Sequence, residues 1–131
     1  MDIKEIKIMI KEQYVSFETA RLAKEKGFVP NVERFSGSAY DVNGHLYNGY
    51  YIPVPIDILC YAPTQSTLGK WLREEYDIHV LPLFWETKGD HYCDYTYDIK
   101  RPMEDVTEKT LWFDRYEEAM EAGLQEALKL I

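Results

Sequence analysis

The chain has 131 residues, 46% of them hydrophobic and 29% charged, which is the length and make-up of one globular domain rather than two or a disordered tract. Fifteen Lys and Arg against 23 Asp and Glu leave a net charge of −8, so the basic footprint that phosphate contact requires is missing and nucleic-acid binding is disfavoured. No apolar run reaches the roughly 20 residues of a membrane span, and the charged start Met1-Asp2-Ile3-Lys4-Glu5 lacks a signal peptide's apolar core. A cytoplasmic protein without membrane association is expected.

Residues 1–13 carry two competing periods. Ile6, Ile8 and Ile10 alternate as in a strand, whereas Ile3, Ile6 and Ile10 share a helical face; the helix is the preferred reading. A helix over Phe17–Lys26 follows, with Ser16 as the side-chain cap, Glu18 in the first turn, and Lys24, Lys26 and Gly27 as the stop. From Phe28 to Leu59 aromatic and β-branched residues are broken by Gly, Asn and Pro, a strand-and-turn pattern. Asn43-Gly44 suits a tight turn between strands Arg34–Asp41 and His45–Ile52. Pro53 and Pro55 then limit pairing.

Asp57–Tyr61 reads as a strand feeding a second helix capped by Thr64, whose face Leu68, Trp71, Leu72 and Tyr76 should be buried. A second hairpin joins Ile78–Trp85 to His91–Ile99 across Thr87-Lys88-Gly89-Asp90. In its second strand Tyr92, Asp94, Thr96 and Asp98 point one way and Cys93, Tyr95, Tyr97 and Ile99 the other, so one face is expected to be wet. A loop over Lys100–Glu108 and a short strand at Lys109–Phe113 precede the last helix. Asp114 and Glu117 form a capping-box-like start, and Tyr116, Met120, Gly123, Leu124, Ala127, Leu128 and Ile131 make its stripe. Gly123 costs about 1 kcal/mol of helix propensity, which a close helix-on-sheet contact would explain. The expected fold is a single α+β domain over 1–131: an antiparallel sheet of about four or five strands with two or three helices packed on one face.

Chemistry-bearing residues are sparse. Cys60 and Cys93 are read as free, buried thiols. His79, His91, Cys60 and Cys93 with Asp90 or Asp94 are a conceivable metal set, but their spacing lacks the paired ligands of structural zinc sites. Cys93 with His79 or His91 is the one nucleophile–base pair worth naming, yet His91 and Cys93 lie about 7 Å apart along one strand, beyond hydrogen-bond reach. No nucleophile-elbow, zincin or phosphate-loop motif occurs. We therefore assign no catalytic, cofactor-binding or metal-binding residues. The stretch Thr64–Arg73 resembles a recognition helix, but a strand and a proline precede it where a second helix is needed.

The eleven tyrosines concentrate in the strand-rich parts, and Tyr47, Tyr50, Tyr51, Tyr92, Tyr95 and Tyr97 are the candidate interface. Residues 102–131 carry −5 (three basic, eight acidic), with Glu117, Glu118 and Glu121 on one helix. That group is a solvated face or a mimic of nucleic-acid charge.

Val15-Ser16-Phe17-Glu18-Thr19-Ala20, Ala62-Pro63-Thr64-Gln65-Ser66, Lys70-Trp71-Leu72-Arg73-Glu74 and the ending Tyr116-Glu117-Glu118-Ala119 to Gly123-Leu124-Gln125-Glu126-Ala127-Leu128-Lys129 carry a family likeness. In them the chain resembles short proteins encoded in phages and prophages of anaerobic gut bacteria. The resemblance spans nearly the whole chain and implies genomic context alone; it brings no activity, ligand or catalytic residue to these positions. The expectation is a non-enzymatic phage or prophage accessory protein that binds a protein partner or forms a homodimer. An acidic mimic or inhibitor of a nucleic-acid-binding protein is the alternative, and a small enzyme or metal-binding protein using Cys93, His79 or His91 is the third.

Overall fold

The computed structural model of the chain describes residues 12–29, 38–47, 58–87, 92–105 and 111–131, with side chains omitted at 58, 86, 87, 92, 93 and 105. The N-terminal segment read as helix, the two prolines Pro53 and Pro55, and the tip of the second hairpin lie outside them.

Local hydrogen bonding sets the first helix, α1 (Phe17–Glu25). Ser16 is extended, and its hydroxyl accepts from the Thr19 N–H at 3.3 Å. Lys26 is the C-cap, and Gly27 follows at φ +95°, a conformation that a side chain would strain. Strands β1 (Ala39–Asp41), β2 (Leu46–Tyr47) and β3 (Ile58–Tyr61) form an antiparallel sheet in the order β2-β1-β3. The Asn-Gly turn joins β1 to β2 as the sequence predicts. Gly44 sits at φ +79°, and Asp41 Oδ1 accepts from the Asn43 and His45 N–H groups at 2.9 and 3.0 Å.

Thr64 caps α2 (Gln65–Tyr76), accepting from the Thr67 N–H at 3.2 Å. The helix stops at Asp77, left-handed at φ +54°, and the chain enters β4 (His79–Thr87). β4 pairs with β5 (Tyr92–Arg101) from His79↔Lys100 to Thr87↔Tyr92, and β6 (Glu104–Asp105) lies on the far side of β5. Phe113 also joins that far edge: it exchanges both backbone bonds with Tyr95, each 2.8 Å. Tyr95 therefore points its backbone groups away from β4, and by alternation Tyr97 does the same. Pro82, opposite Tyr97, faces the open edge. Its missing N–H costs the ladder nothing there, and it blunts an edge that no strand covers among the described residues.

The last helix, α3 (Tyr116–Leu128), is the centre of the molecule. It lies across β4 and β5 and also touches α1 and α2, which is why its apolar stripe is broad. Leu124, Leu128 and Ala127 meet Leu68 and Leu72 of α2, Val15, Ile78 and Val80 in a core that reaches Tyr40 and Cys60 of the first sheet. Gly123 permits the approach: a Cβ there would stand 2.6 Å from Val80 Cγ1 and 3.1 Å from the Tyr97 ring.

Among the described residues, the α+β class, the antiparallel pairing and three helices agree with the sequence. Three expectations change. The described strands divide between two three-stranded sheets instead of forming one. The capping box at α3 does not form: Arg115 is the N-cap without a side-chain bond, and Glu117 stands 3.8 Å from the Arg115 Nε. The β5 face expected to be wet is covered at Thr96 and Asp98, both buried, with Thr96 donating to the Leu111 carbonyl at 2.8 Å. Strand alternation gives the facing, but the segment after β6 decides what lies over it.

Candidate protein-interaction surface

Directly opposed residues share a face of the sheet, so the β4–β5 register sorts this hairpin completely. Val80, Pro82 and Phe84 with Ile99, Tyr97 and Tyr95 make the face toward α3, as the Gly123 contacts require. Leu81, Leu83 and Trp85 with Asp98, Thr96 and Asp94 make the opposite face. Beside that second face Trp112 reaches the Trp85 ring, with centroids 6.2 Å apart and planes at 64°. No described helix packs on it.

The result is exposed aromatic surface on both faces of the hairpin, at the end farthest from the α2–β4 turn. Relative exposure is 54% at Trp85, 48% at Trp112, 55% at Phe84 and 49% at Tyr116. On the α3 face Phe84 lies 5.5 Å from Tyr95, and Tyr95 lies 6.2 Å from Tyr116 at the start of α3, while the Trp85–Trp112 pair occupies the opposite face. Leu81 and Leu111 add exposed aliphatic area. Single exposed apolar residues are ordinary, but clusters of Trp, Tyr and Phe flanking one hairpin end have the composition of a contact surface.

A second polar feature lies at the junction of the helices. Glu121 of α3 accepts from the Ser16 N–H and the Thr19 hydroxyl, both at 2.6 Å, through Oε1, and from the Gln65 amide at 3.1 Å through Oε2. Gln65 also donates to the Glu117 carbonyl at 2.9 Å, and Gln125 donates to the Thr19 hydroxyl. An open cleft of about 210 Å³ adjoins this junction, lined by Glu12, Gln65, Ser66, Tyr116, Glu117 and Met120 among others. Its polar groups are already bonded to one another, Ser66 to Glu12 and Gln65 as above, so it reads as a seam between elements.

The six candidate tyrosines separate. Tyr50 and Tyr51 lie outside the described residues, as does the side chain of Tyr92. Tyr47 belongs to the first sheet, half-buried, with its hydroxyl donating to Asp41 Oδ2 at 3.3 Å. Tyr97 is buried beneath α3, and burial raises its phenol above the ordinary range. Tyr95 alone of them is seen in the exposed aromatic set. Trp85, Trp112 and Phe84 were not singled out from the sequence, and Tyr116, read there as part of the apolar stripe of α3, is half-exposed. The available signal was the unbroken apolar run Val80–Trp85, which is apolar on both faces; only one of those faces finds a helix.

The other named residues also disperse. Cys60 is buried in β3, and its burial raises the thiol pKa against the lowering influence of Lys24 and Arg21. His79 is held by Asp77, 2.8 Å from its Nε2, at the α2–β4 turn. Cys93 pairs opposite Glu86, seven residues along β4 from His79, which is about 23 Å at the rise of a strand. Those two cannot act as a dyad. Asp90 and His91 lie outside the described residues, among which no group of three His, Cys, Asp or Glu is placed to hold a metal. The acidic trio divides as well, since Glu121 turns inward while Glu118 is exposed. No described helix is long and apolar enough to cross a membrane. Compared with known proteins, the chain matches no family model, no curated protein and no solved structure.

Proposed function

We propose that this chain is a non-enzymatic phage or prophage accessory protein acting as a protein-interaction domain, with the aromatic end of the β4–β5 hairpin as its contact surface. The observation that carries the reading is the exposed Trp85–Trp112 pair on a sheet face that no described helix covers. Trp and Tyr dominate binding energy where they can be desolvated at the centre of a contact, and half-exposed rings retain that area for a partner. The alternative of a nucleic-acid mimic has less support, because Glu121 is engaged with Ser16, Thr19 and Gln65 and leaves the group that would imitate phosphates.

The test is affinity capture of tagged wild-type protein and of the W85A/W112A double variant from host lysate, read by mass spectrometry. Wild type is expected to hold a reproducible partner that the variant loses while keeping its circular dichroism spectrum. Equal recovery of the same partners by both proteins would place the contact elsewhere.

A further inference from the structure

The charges around the aromatic set identify the kind of protein it fits. Asp94 stands directly across the ladder from Trp85, and Asp114 follows Trp112 by two residues. Glu117 and Glu118 occupy the first turn of α3 beside Tyr116. In the described stretches 81–87, 92–98 and 111–118 the one cation is Arg115, which lies 3.8 Å from Glu117. Among the described residues, exposed rings and carboxylates thus alternate here with a single cation.

We infer that the partner docks a cationic segment here, a stretch of polypeptide in which Arg or Lys alternates with apolar residues. The inference rests on the interaction reading above and supplies the partner's chemistry. A purely apolar partner would strip water from the rim carboxylates without replacing it, and an acidic one would be repelled. A guanidinium satisfies both halves of the surface, because its plane stacks on an indole or phenol while its edge donates to a carboxylate. The chain already uses the first half of this chemistry on itself, with the Arg21 guanidinium 5.5 Å over the Phe17 ring. A free small cation is a poorer fit, since the rings are spread along the hairpin and into α3 and do not enclose a cage. An anionic membrane surface is opposed by the same carboxylates and by the net charge of −8.

The experiment uses the full chain and three fluorescently labelled octapeptides, alternating Leu with Arg, Gln or Glu, with binding read by anisotropy at about 50 and 300 mM salt. The Arg peptide is expected to bind at least about tenfold more tightly than the Gln peptide at low salt, with the advantage shrinking at high salt. W85A/W112A should lose about tenfold, and D94N/D114N should lose several-fold and flatten the salt dependence. Equal binding of the Gln and Arg peptides would overturn the cationic partner and leave the aromatic contact standing. Undiminished Arg-peptide binding by W85A/W112A would overturn both, since attraction to bulk negative charge would then suffice. Failure of all three peptides to bind wild type also overturns the cationic partner, with the capture experiment deciding the aromatic contact separately. Each variant alters exposed or half-exposed side chains, and circular dichroism checks that it folds.

Discussion

Glu121 caps a helix that is not its own: its Oε1 lies 2.6 Å from the Ser16 N–H, across 105 residues of chain. In a local capping box the third helical residue is Glu or Gln and reaches back to the N-cap N–H. Here that residue is Thr19, whose side chain is too short, and α3 supplies the carboxylate from outside. The same carboxylate takes the Gln65 amide at the start of α2, so one anion ties the beginnings of two helices to the middle of a third. Carboxylate near a helix N-terminus is also favoured by the dipole.

Glu121→Ala is therefore expected to cost about 3 kcal/mol, since it leaves the Ser16 N–H and the Thr19 hydroxyl without their charged acceptor in a half-buried junction. Ser16→Ala removes only the local cap and should cost about 1 kcal/mol. Urea unfolding followed by circular dichroism measures both. If E121A loses no more than S16A, the cross-chain cap contributes little to stability.

How much of this was readable in advance follows from the range of each interaction. Ser16, Thr64 and Asn43-Gly44 act on residues two or three positions away, and all three were legible. The Asp114 cap was equally local and still failed, because Phe113 is committed to both backbone bonds with Tyr95 and the helix begins only after Arg115. Tyr97 and Trp85 show the second kind of limit. Both are aromatic strand residues, and whether they end buried or bare depends on which face α3 covers, something no strand period contains. Glu121 shows the third, since its role is defined by partners in two other helices.

The β1–β2 turn should respond to acid. Asp41 has its carboxyl pKa lowered, chiefly by the hydrogen bond from the His45 N–H; burial opposes this as the next largest effect, and the hydrogen bonds from the Asn43 N–H and the Tyr47 hydroxyl add smaller lowering contributions. A lowered native pKa means that the carboxylate stabilises the turn above the ordinary Asp range, and that this contribution is lost as pH falls through the native value. Carbon-detected NMR titration should place the Asp41 midpoint below that of an unstructured Asp, with the Asn43 and His45 amide shifts following the same curve. A midpoint in the ordinary range would show that the turn bonds do not persist in solution.

Cys60 should be inert while the protein is folded. The residue is 2% exposed, and burial raises its thiol pKa, so both access and thiolate fraction are suppressed. In a Cys93→Ser background, Cys60 is expected to react with a disulfide reagent near pH 8 at least about a thousandfold more slowly in the native than in the urea-unfolded protein, the ratio set by the rare open population. Comparable rates would mean that β3 opens far more readily than its place in the core implies. Because the pKa is raised, the thiol's contribution to stability is present below its unfolded-state value and declines as pH rises beyond it.

Gly123 gives the sharpest test of how α3 sits on the β4–β5 sheet. Replacing it with Ala gains about 1 kcal/mol of helix propensity. The added methyl would stand 2.6 Å from Val80 Cγ1 and 3.1 Å from the Tyr97 ring, closer than packed carbons tolerate. Overpacking of this kind costs about 1–3 kcal/mol, so Gly123→Ala is expected to be net destabilising or at best neutral. Val80→Ala removes the nearer obstacle, and the double variant should recover part of the loss; the two changes are non-additive because they share one contact. Strictly additive losses in urea unfolding would mean that α3 shifts off the sheet to admit the methyl. The seating would then be set by Leu124 and Leu128, which are fully buried, with the glycine contact secondary.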